Sequence, residues 1–325
     1  MPDNLQAIKE LGFNLDGAGS MPFCGIRFID GGVSVEAPFP NGSGRGVRRI
    51  ALHRAMLSAA ESVGADFEWG RRVTGIFPEG AWVERCRVTA RWIVGADGGN
   101  SRLRSWAALD RGSHKRARFG FRRHYRIAPW TDYMELYWGR NAQLYVTPTG
   151  FEEVCVTVVS RDPHLRVERA LNEFPKVVRK LCGVAQNSRE LGALTLSRRF
   201  PRVTRDRVAL IGDASGSVDA ITGEGLCLAF RQALALAEAL ERDNLESYED
   251  AHRRLMRRPA FMAEVLLFLA GQPRFRRRIL SAFSARPALF ERMLAIHVGA
   301  HRPLLNGRGL AWTRLGGAAV SDWLF

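Results

Sequence analysis

The sequence predicts a mixed α/β (α+β) fold, with a three-layer unit of strands and helices, an inserted and mostly antiparallel β-sheet, and a C-terminal helical region. Two short apolar runs end near residues 95 and 211, and each is followed by an aspartate and glycines, as strands that end at a binding edge often are. Residues 111–203 carry alternating aromatic and β-branched runs, which are typical of antiparallel strands. Beyond about residue 245 the apolar spacing is helical.

The chain divides into four predicted regions. Residues 1–110 form the first part of the three-layer unit, residues 111–203 the inserted sheet, residues 204–245 the second part of the unit, and residues 246–325 the helical region. The elements expected in the first region are, in order, a helix at 1–13, an extended pair at 25–39, a helix at 49–63, a strand near 66–77 and a strand that ends at Asp97.

The inserted region and the segment after it follow the same rules. Its expected elements are strands at 132–138, 143–148 and 153–159, a helix at 168–182 and a strand at 194–201. A buried strand at 208–211 then ends in Gly212-Asp213, and a glycine-rich turn opens a helix that runs from about 226 to 242.

The residues of this last segment suit a flavin chemically. Asp213, at the end of an apolar strand, can accept hydrogen bonds from the hydroxyls of a sugar or ribityl chain. Gly223 and Gly225 have no Cβ, so a flat ring can lie against the backbone there. The positive end of the following helix would stabilise an anion, and a reduced flavin carries its negative charge on the ring edge.

Two motifs carry a resemblance to a known family. Gly212-Asp213-Ala214 with the Thr-Gly-Glu-Gly run at 222–225 resembles the second flavin fingerprint of the FAD-dependent monooxygenases related to para-hydroxybenzoate hydroxylase, and is most similar to their geranylgeranyl reductase branch. The run at 95–101, which contains Asp97-Gly98, resembles the family's middle Gly-Ala-Asp-Gly-x-x-Ser motif. Arg49 matches the family's Arg-x-x-Leu segment, whose arginine reaches the cofactor.

The resemblance implies a fold, a cofactor and a set of binding residues. The three-layer unit would be an FAD-binding Rossmann-like domain, and the cofactor-binding residues would be Arg49, Asp97, Gly98, Gly212, Asp213, Gly223, Glu224 and Gly225. No catalytic residue and no metal-binding cluster stands out. The Gly-x-Gly-x-x-Gly turn with which relatives begin does not occur in these 325 residues, so we expect an incomplete domain.

In the family the inserted sheet covers the flavin and forms one wall of the substrate pocket. The resemblance therefore makes Tyr137, Trp138 and Tyr145 candidate pocket residues, although strands alternate faces and about half of such a set must point elsewhere. The run Tyr145 to Pro148 stands where geranylgeranyl reductases have a Tyr-x-Trp-x-Phe-Pro motif. Its tryptophan and phenylalanine are missing here, which argues against an isoprenoid substrate.

Composition limits the compartment and the partners. The start of the chain shows no secretory pattern, and five scattered cysteines without a Cys-x-x-Cys pair indicate a reducing cytoplasm. The net charge of +15 is mostly arginine, spread over every region, and no nucleic-acid motif accompanies it. An arginine-rich apolar segment at 253–278 leaves peripheral membrane contact open, against the alternative of a helix packed on the cofactor domain.

The sequence thus predicts an FAD-dependent oxidoreductase that hydroxylates an apolar or aromatic small molecule or reduces a double bond in it. NAD(P)H is the expected electron donor, and the basic connection at 198–207 could meet its phosphates or be a solvated turn. Two alternatives remain open, a non-catalytic remnant that cannot hold FAD alone and a basic protein that binds membrane surfaces. The oligomeric state is not predicted.

Overall fold

The structure, a computed structural model, describes residues 1–16, 18–114 and 117–300, without the side chain of His114. Residues 301–325 of the predicted helical region lie outside the described residues. The helices within the described part are α1 (Pro2–Glu10), α2 (Arg49–Ser62), α3 (Arg102–Trp106), α4 (Val167–Leu171), α5 (Pro175–Leu181), α6 (Gly225–Glu241), α7 (Leu245–Gly271), α8 (Pro273–Ala285) and α9 (Pro287–His297).

The strands are short except in the inserted region. In chain order they are β1 (Met21–Phe23), β2 (Gly25–Asp30), β3 (Val33–Pro38), β4 (Gly44–Gly46), β5 (Val73–Phe77), β6 (Gly80–Val83), β7 (Cys86–Thr89), β8 (Ile93–Gly95), β9 (Ser113–His114), β10 (Arg118–Tyr125), β11 (Tyr133–Trp138), β12 (Ala142–Gly150), β13 (Glu153–Ser160), β14 (Leu191–Thr195), β15 (Arg198–Arg199), β16 (Thr204–Arg205) and β17 (Val208–Leu210).

The largest sheet has seven strands in the order β14-β10-β13-β12-β11-β2-β3. All neighbours are antiparallel except β11 and β2, which run parallel with Tyr133 opposite Gly25. This confirms the predicted antiparallel strands. It also shows that β2 and β3, which fall within residues 1–110, add to the inserted sheet rather than standing alone.

Each face of this sheet packs on helices. One face and helices α7, α8 and α9 share an apolar core that includes Phe28, Leu136, Leu266 and Phe290. The other face packs against α4 and α5. Alternation along each strand decides which side chains enter which core, because successive residues point to opposite faces.

The cofactor-type sheet is small, with the order β16-β17-β8. β17 and β8 are parallel, with Leu210 opposite Gly95, so their carboxyl ends lie side by side. Leu210 is completely buried and packs with α3, the end of α6 and Tyr248 of α7. Three further small units are the β5-β6-β7 meander and the β1-β4 and β15-β9 pairs.

Three expected elements differ from the structure. The helix predicted at 168–182 is two helices, because Pro175 has no N–H to donate and disfavours helical geometry at Phe174, so α5 starts afresh there. The strand expected near 66–77 begins only at Val73. The strand expected at 194–201 is divided into β14 and β15; β14 pairs with β10, whereas β15 pairs with β9, and the backbone of Arg198 also bonds Ser217.

Candidate functional site

Two loops meet where β8 and β17 end. The N–H of Ile211 donates to the carbonyl of Gly95 at 2.9 Å, which extends the pairing by one residue past the strands. The loop with Asp97 and Gly98 therefore lies beside the loop with Gly212 and Asp213, as the two motifs predict. Gly98 and Gly212 both have positive φ, +80° and +60°, which L side chains rarely adopt.

Asp97 holds its own loop in place. Its carboxylate accepts hydrogen bonds from the backbone N–H of Arg102 at 2.8 Å and of Leu103 at 3.2 Å, at the start of α3. Burial alone would raise the pKa of Asp97, but hydrogen bonds from Ser101 and these backbone groups bring it below its ordinary value. Asp97 therefore fixes the loop after β8 by accepting hydrogen bonds from the backbone of α3.

Arg49 and Asp213 lie near each other at the carboxyl ends of β8 and β17, without a hydrogen bond or ion pair between them. Neither side chain makes a hydrogen bond or ion pair with the described residues, yet each changes the other's pKa. Burial raises the pKa of Asp213, and the charges of Arg49 and Arg198 oppose that rise. Burial and the charge of Arg122 lower the pKa of Arg49, and Asp213 opposes that fall. Both side chains are exposed, so the ends of β8 and β17 present a free carboxylate with the charges of Arg49 and Arg198 near it.

Arg104 connects the two loops from beneath. Its guanidinium donates to the carbonyl of Gly99 at 3.0 Å and to the carbonyl of Ala214 at 2.9 Å, one from each loop. Asp110 at 2.9 Å and the ring of Phe200 complete its surroundings. Since Arg104 is almost fully buried, these bonds are shielded from water and fix the distance between the loops.

A second buried network supports the loop after β17. Gln232 on α6 accepts a hydrogen bond from the N–H of Gly212 at 2.7 Å and lies 3.2 Å from the hydroxyl of Ser215. His252 on α7 lies 3.0 Å from that same hydroxyl, and Tyr248 donates to the carbonyl of Leu210 at 2.7 Å. Burial lowers the pKa of His252 to about 4, so this histidine is neutral at pH 7.

The glycine turn is fastened to the large sheet. Asp219, which begins it, accepts hydrogen bonds from the buried Arg118 of β10 at 2.7 Å and from the N–H of Ile221 at 2.9 Å. Tyr145 of β12 donates to the carbonyl of Ile221 at 3.1 Å. Gly223 follows with φ +67°, and a Cβ at Gly223 or Gly225 would meet nothing within 4 Å. Open space therefore adjoins the start of α6.

Glu224, between these glycines, points into the protein. Its side chain is 2% exposed and accepts a hydrogen bond from Arg258 at 3.0 Å, while its second oxygen has no hydrogen-bond partner among the described residues and lies 3.7 Å from Nδ1 of His297. Burial raises the pKa of Glu224 to about 7, against the attraction of Arg258, and lowers that of His297 to about 4. Only the backbone of Glu224 faces the open turn.

The three pocket candidates divide between the two faces of the sheet. Tyr137 points away from the cofactor loops, into the core with α4 and α5, and donates to Glu135 at 2.8 Å. Trp138 lies on the cofactor side but is enclosed by Phe28 and the guanidinium of Arg276. Tyr145 alone reaches the glycine turn.

An apolar cavity lies beside Tyr145, between the sheet, the glycine turn and helices α7 and α9. Its lining includes Phe28, Leu136, Thr222, Met262 and His297. Its volume of about 20 Å³ is close to that of a single water site, so a substrate could enter only after side chains move. The cavity nonetheless places apolar surface next to the turn.

The residues at this edge fit an FAD. The free Asp213 carboxylate can accept from hydroxyls, the unpaired Arg49 guanidinium can meet phosphate oxygens, and the open glycine turn leaves room for a ring at the N-terminus of α6. Within the described residues no group of three His, Cys, Asp or Glu side chains could hold a metal ion. All five cysteines are free thiols.

Fold and site together fit a protein of the FAD-binding class. A family model described as FAD binding domain matches residues 45–255, which is more than half of the chain. The chain therefore belongs to the FAD binding domain family, and the resemblance to the para-hydroxybenzoate hydroxylase-like flavoproteins is confirmed. No curated protein matches the sequence.

Solved structures of flavoproteins share the fold at low identity. The flavin-dependent brominase Bmp2 is 17% identical with a TM-score of 0.77, covering 92% of this chain and 82% of that one. A flavoprotein/dehydrogenase from Cytophaga hutchinsonii is 16% identical with a TM-score of 0.77 and the same coverage. HpxO from Klebsiella pneumoniae, solved with FAD, is 17% identical with a TM-score of 0.71, covering 92% of this chain and 88% of that one.

Sequence reasoning missed the supporting side chains. Arg104 stands just after the first motif, but nothing in the sequence gives it a role. Arg118, Gln232 and His252 lie outside the motifs, and only the fold brings them to the loops. Gln232 offered one indication, since it is a polar residue at a buried position of the otherwise apolar face of α6.

Among the described helices, none is long and apolar enough to cross a membrane.

Proposed function

We propose that the chain binds FAD at the carboxyl ends of β8 and β17 and uses it to hydroxylate an apolar or aromatic small molecule or to reduce a double bond in it. The observation that supports this most directly is the convergence of the unpaired Arg49 and Asp213 at the strand ends, together with the open turn at Gly223 that begins the next helix. When bound, FAD supplies the two-electron redox chemistry, for which protein side chains alone are unsuited.

Five of the predicted binding residues then have distinct tasks. Arg49 would neutralise phosphate oxygens, and Asp213 would accept hydrogen bonds from the ribityl hydroxyls. Gly223 and Gly225 would allow the ring to contact the backbone, and the first N–H groups of α6 would face its negative edge. Asp97 would act indirectly, by holding its loop against α3.

The substrate would approach the ring from the side of Tyr145. The apolar lining supplied by Phe28, Leu136 and Met262 favours a molecule with little charge, which supports the proposed substrate class. Tyr145 is held by the carbonyl of Ile221, and burial raises the pKa of its hydroxyl, so it would remain a neutral hydrogen-bond donor at the pocket wall.

NAD(P)H as electron donor is supported by the family resemblance and by the basic stretch at 198–207. Within that stretch Arg199 is paired with Glu264 and Arg202 lies near Glu249, whereas Arg198 faces Asp213. Rates of NADPH and NADH oxidation by the FAD-loaded protein would test this part. The free thiols support a cytoplasmic location.

Titration of the purified 325-residue chain with FAD, followed by flavin fluorescence and calorimetry, tests the proposal. Asp213→Asn and Arg49→Gln should each weaken FAD binding by about tenfold or more, because each removes a charge-assisted contact. Asp66→Asn and Arg54→Gln serve as controls, since both wild-type side chains are exposed and distant from the strand ends in the chain.

The outcomes separate the alternatives. Equal FAD affinity in the site variants and the controls would place the cofactor elsewhere. A chain that is folded by circular dichroism but takes up no FAD would support the non-catalytic remnant instead.

A further inference from the structure

The outer surface of α7 and α8 carries three phenylalanines that the protein core does not use. Phe261, Phe268 and Phe275 are 60%, 56% and 40% exposed, and the rings of Phe268 and Phe275 touch edge to face with centroids 5.6 Å apart. We call these three residues the aromatic stripe. Their neighbours Met262 and Leu266 point inward and are buried, so α7 has a separate apolar face for the core.

Unpaired arginines flank the aromatic stripe. Within the part of the chain that the structure describes, Arg254, Arg257, Arg274 and Arg278 are exposed and make no ion pair or hydrogen bond. On α7 the positions 254, 257, 261 and 268 follow the spacing of one helical face, so two arginines and two phenylalanines look outward together.

The acids nearest these positions on α7 are already engaged, and Asp250 is paired with Arg253. Glu264 lies between the two phenylalanines of α7 and accepts a hydrogen bond from Arg199 at 2.9 Å. Its negative charge is thereby offset locally. The surface as a whole is therefore positive and aromatic, in a chain whose net charge is already +15.

We propose that this surface docks onto an anionic lipid bilayer. Phenylalanine side chains can enter the boundary between headgroups and acyl chains, while arginines at the same level bind lipid phosphates and other anionic headgroup groups. α7 and α8 would lie along the membrane plane rather than cross it, in line with the lack of a spanning helix among the described ones.

A bilayer fits this surface better than a nucleic acid does. Proteins that bind single strands line a groove with stacking platforms, whereas the aromatic stripe stands on the convex outside of two helices. The proposal does not require bound FAD, so it can fail independently of the proposed function.

Vesicle flotation of the full chain provides the test. Vesicles of phosphatidylcholine mixed with phosphatidylserine are compared with vesicles of phosphatidylcholine alone, at low and high salt. We expect binding to the anionic vesicles at low salt, at least tenfold weaker binding to the neutral ones, and release at high salt because the attraction is screened.

Two double variants assign the binding to the surface. Arg257→Gln with Arg274→Gln should lower the partition coefficient by about 25-fold, roughly fivefold per arginine. Phe268→Ser with Phe275→Ser should lower it by about tenfold or more through lost apolar contact. Both replace exposed side chains, and an unchanged thermal transition would confirm that each variant is folded.

Matched controls replace residues of the same type elsewhere. Arg54→Gln with Arg140→Gln removes two exposed arginines, and Phe151→Ser removes a phenylalanine that is 83% exposed. Absence of flotation, equal binding to neutral vesicles, or equal losses in the controls would overturn the proposal. Tighter binding of a single-stranded oligonucleotide that the same variants abolish would overturn it in favour of nucleic acid.

Discussion

Arg104 shows how one buried side chain can organise a binding edge. It donates to a carbonyl in each of the two loops that follow β8 and β17. Because Arg104 is only 7% exposed, water has little access to these hydrogen bonds. The two recognised motifs therefore depend on a residue that stands just after the first of them. Their spacing in three dimensions is set by this guanidinium.

Replacing Arg104 with glutamine should lower the free energy of unfolding by about 3 kcal/mol, because two buried carbonyls lose a charged donor. FAD affinity should fall as well, since the loops are no longer held at a fixed distance. Urea unfolding and FAD titration measure the two effects. Arg102→Gln, which changes an exposed side chain on the same helix, is the control, and an equal result for both variants would contradict this role.

Gly223 can be tested in the same way. Gly223→Ala should cost about 1–2 kcal/mol of stability, because φ is +67° and a left-handed backbone disfavours a Cβ. No atom lies within 4 Å of that Cβ, so the protein itself has room for the methyl group. A bound ring would not, and FAD affinity should fall about tenfold or more beyond any effect on folding.

Gly64→Ala is the matched control. Gly64 has φ +80° and equally open surroundings, but it follows α2 rather than the glycine turn. It should show the same loss of stability in urea and no loss of FAD affinity. If both variants bind FAD like the wild type, the ring does not lie against Gly223.

The loop at 219–222 is joined to the large sheet by a buried ion pair. Asp219→Asn should lower stability by about 3 kcal/mol, because Arg118, only 6% exposed, keeps its hydrogen bonds to Gln143 and Val159 but loses its counter-charge. A double-mutant cycle with Arg118→Met measures the coupling by urea unfolding. Recovery of stability in the double variant is expected, and additive losses would show that the pair does not act as a unit.

Elements with strong local patterns were predictable from the sequence, and those set by distant contacts were not. The strand ending near Gly95, the strand β17 and the helix α6 follow from apolar runs with glycine at their ends, and all three are confirmed. Pro175 is a local signal for the division of the helix predicted at 168–182, because a proline favours the first turn of a helix over its interior. The parallel pairing of β2 with β11 joins segments about a hundred residues apart and has no local pattern.

The candidate site shows the same difference between what local patterns predict and what distant contacts decide. Arg49 and Asp213 were predicted by resemblance, and the structure brings them together at the strand ends, although their role toward FAD stays a prediction. The side chain of Glu224 was placed among the cofactor residues by its position between two glycines, yet it points inward to Arg258. Sequence locates a backbone turn well, but the direction of a side chain depends on what packs around it.

At the scale of the whole molecule, four helices meet at a junction of buried polar groups. Glu224, Arg258, His297 and Asp3 meet at the N-terminus of α6, where α1, α7 and α9 come together. Several polar atoms there have no hydrogen-bond partner among the described residues. Burying such groups is costly, so their protonation should influence the stability of the entire fold.

Glu224→Gln tests that influence through pH. The pKa of Glu224 is raised from the ordinary 4.5 to about 7, so the folded state holds its proton more tightly than the unfolded state does. The stabilising contribution is fully present below pH 4.5 and is lost as the pH rises to about 7. The free energy of unfolding of the wild type, relative to Glu224→Gln, should therefore fall across this interval and stay level above it.

The two buried histidines, His252 and His297, have the opposite effect on how stability changes with pH. The pKa values of His252 and His297 are lowered from 6.5 to about 4, so their contribution is present above pH 6.5 and is lost as the pH falls through 4. Urea unfolding of the wild type at a series of pH values, compared with Glu224→Gln and His297→Gln, separates the two effects. Glu241→Gln, at the exposed end of the same helix, should reproduce the wild-type profile. A profile for Glu224→Gln that parallels the wild type from pH 4.5 to 7 would show that the Glu224 carboxyl is not the titrating group, and that the junction tolerates its charge.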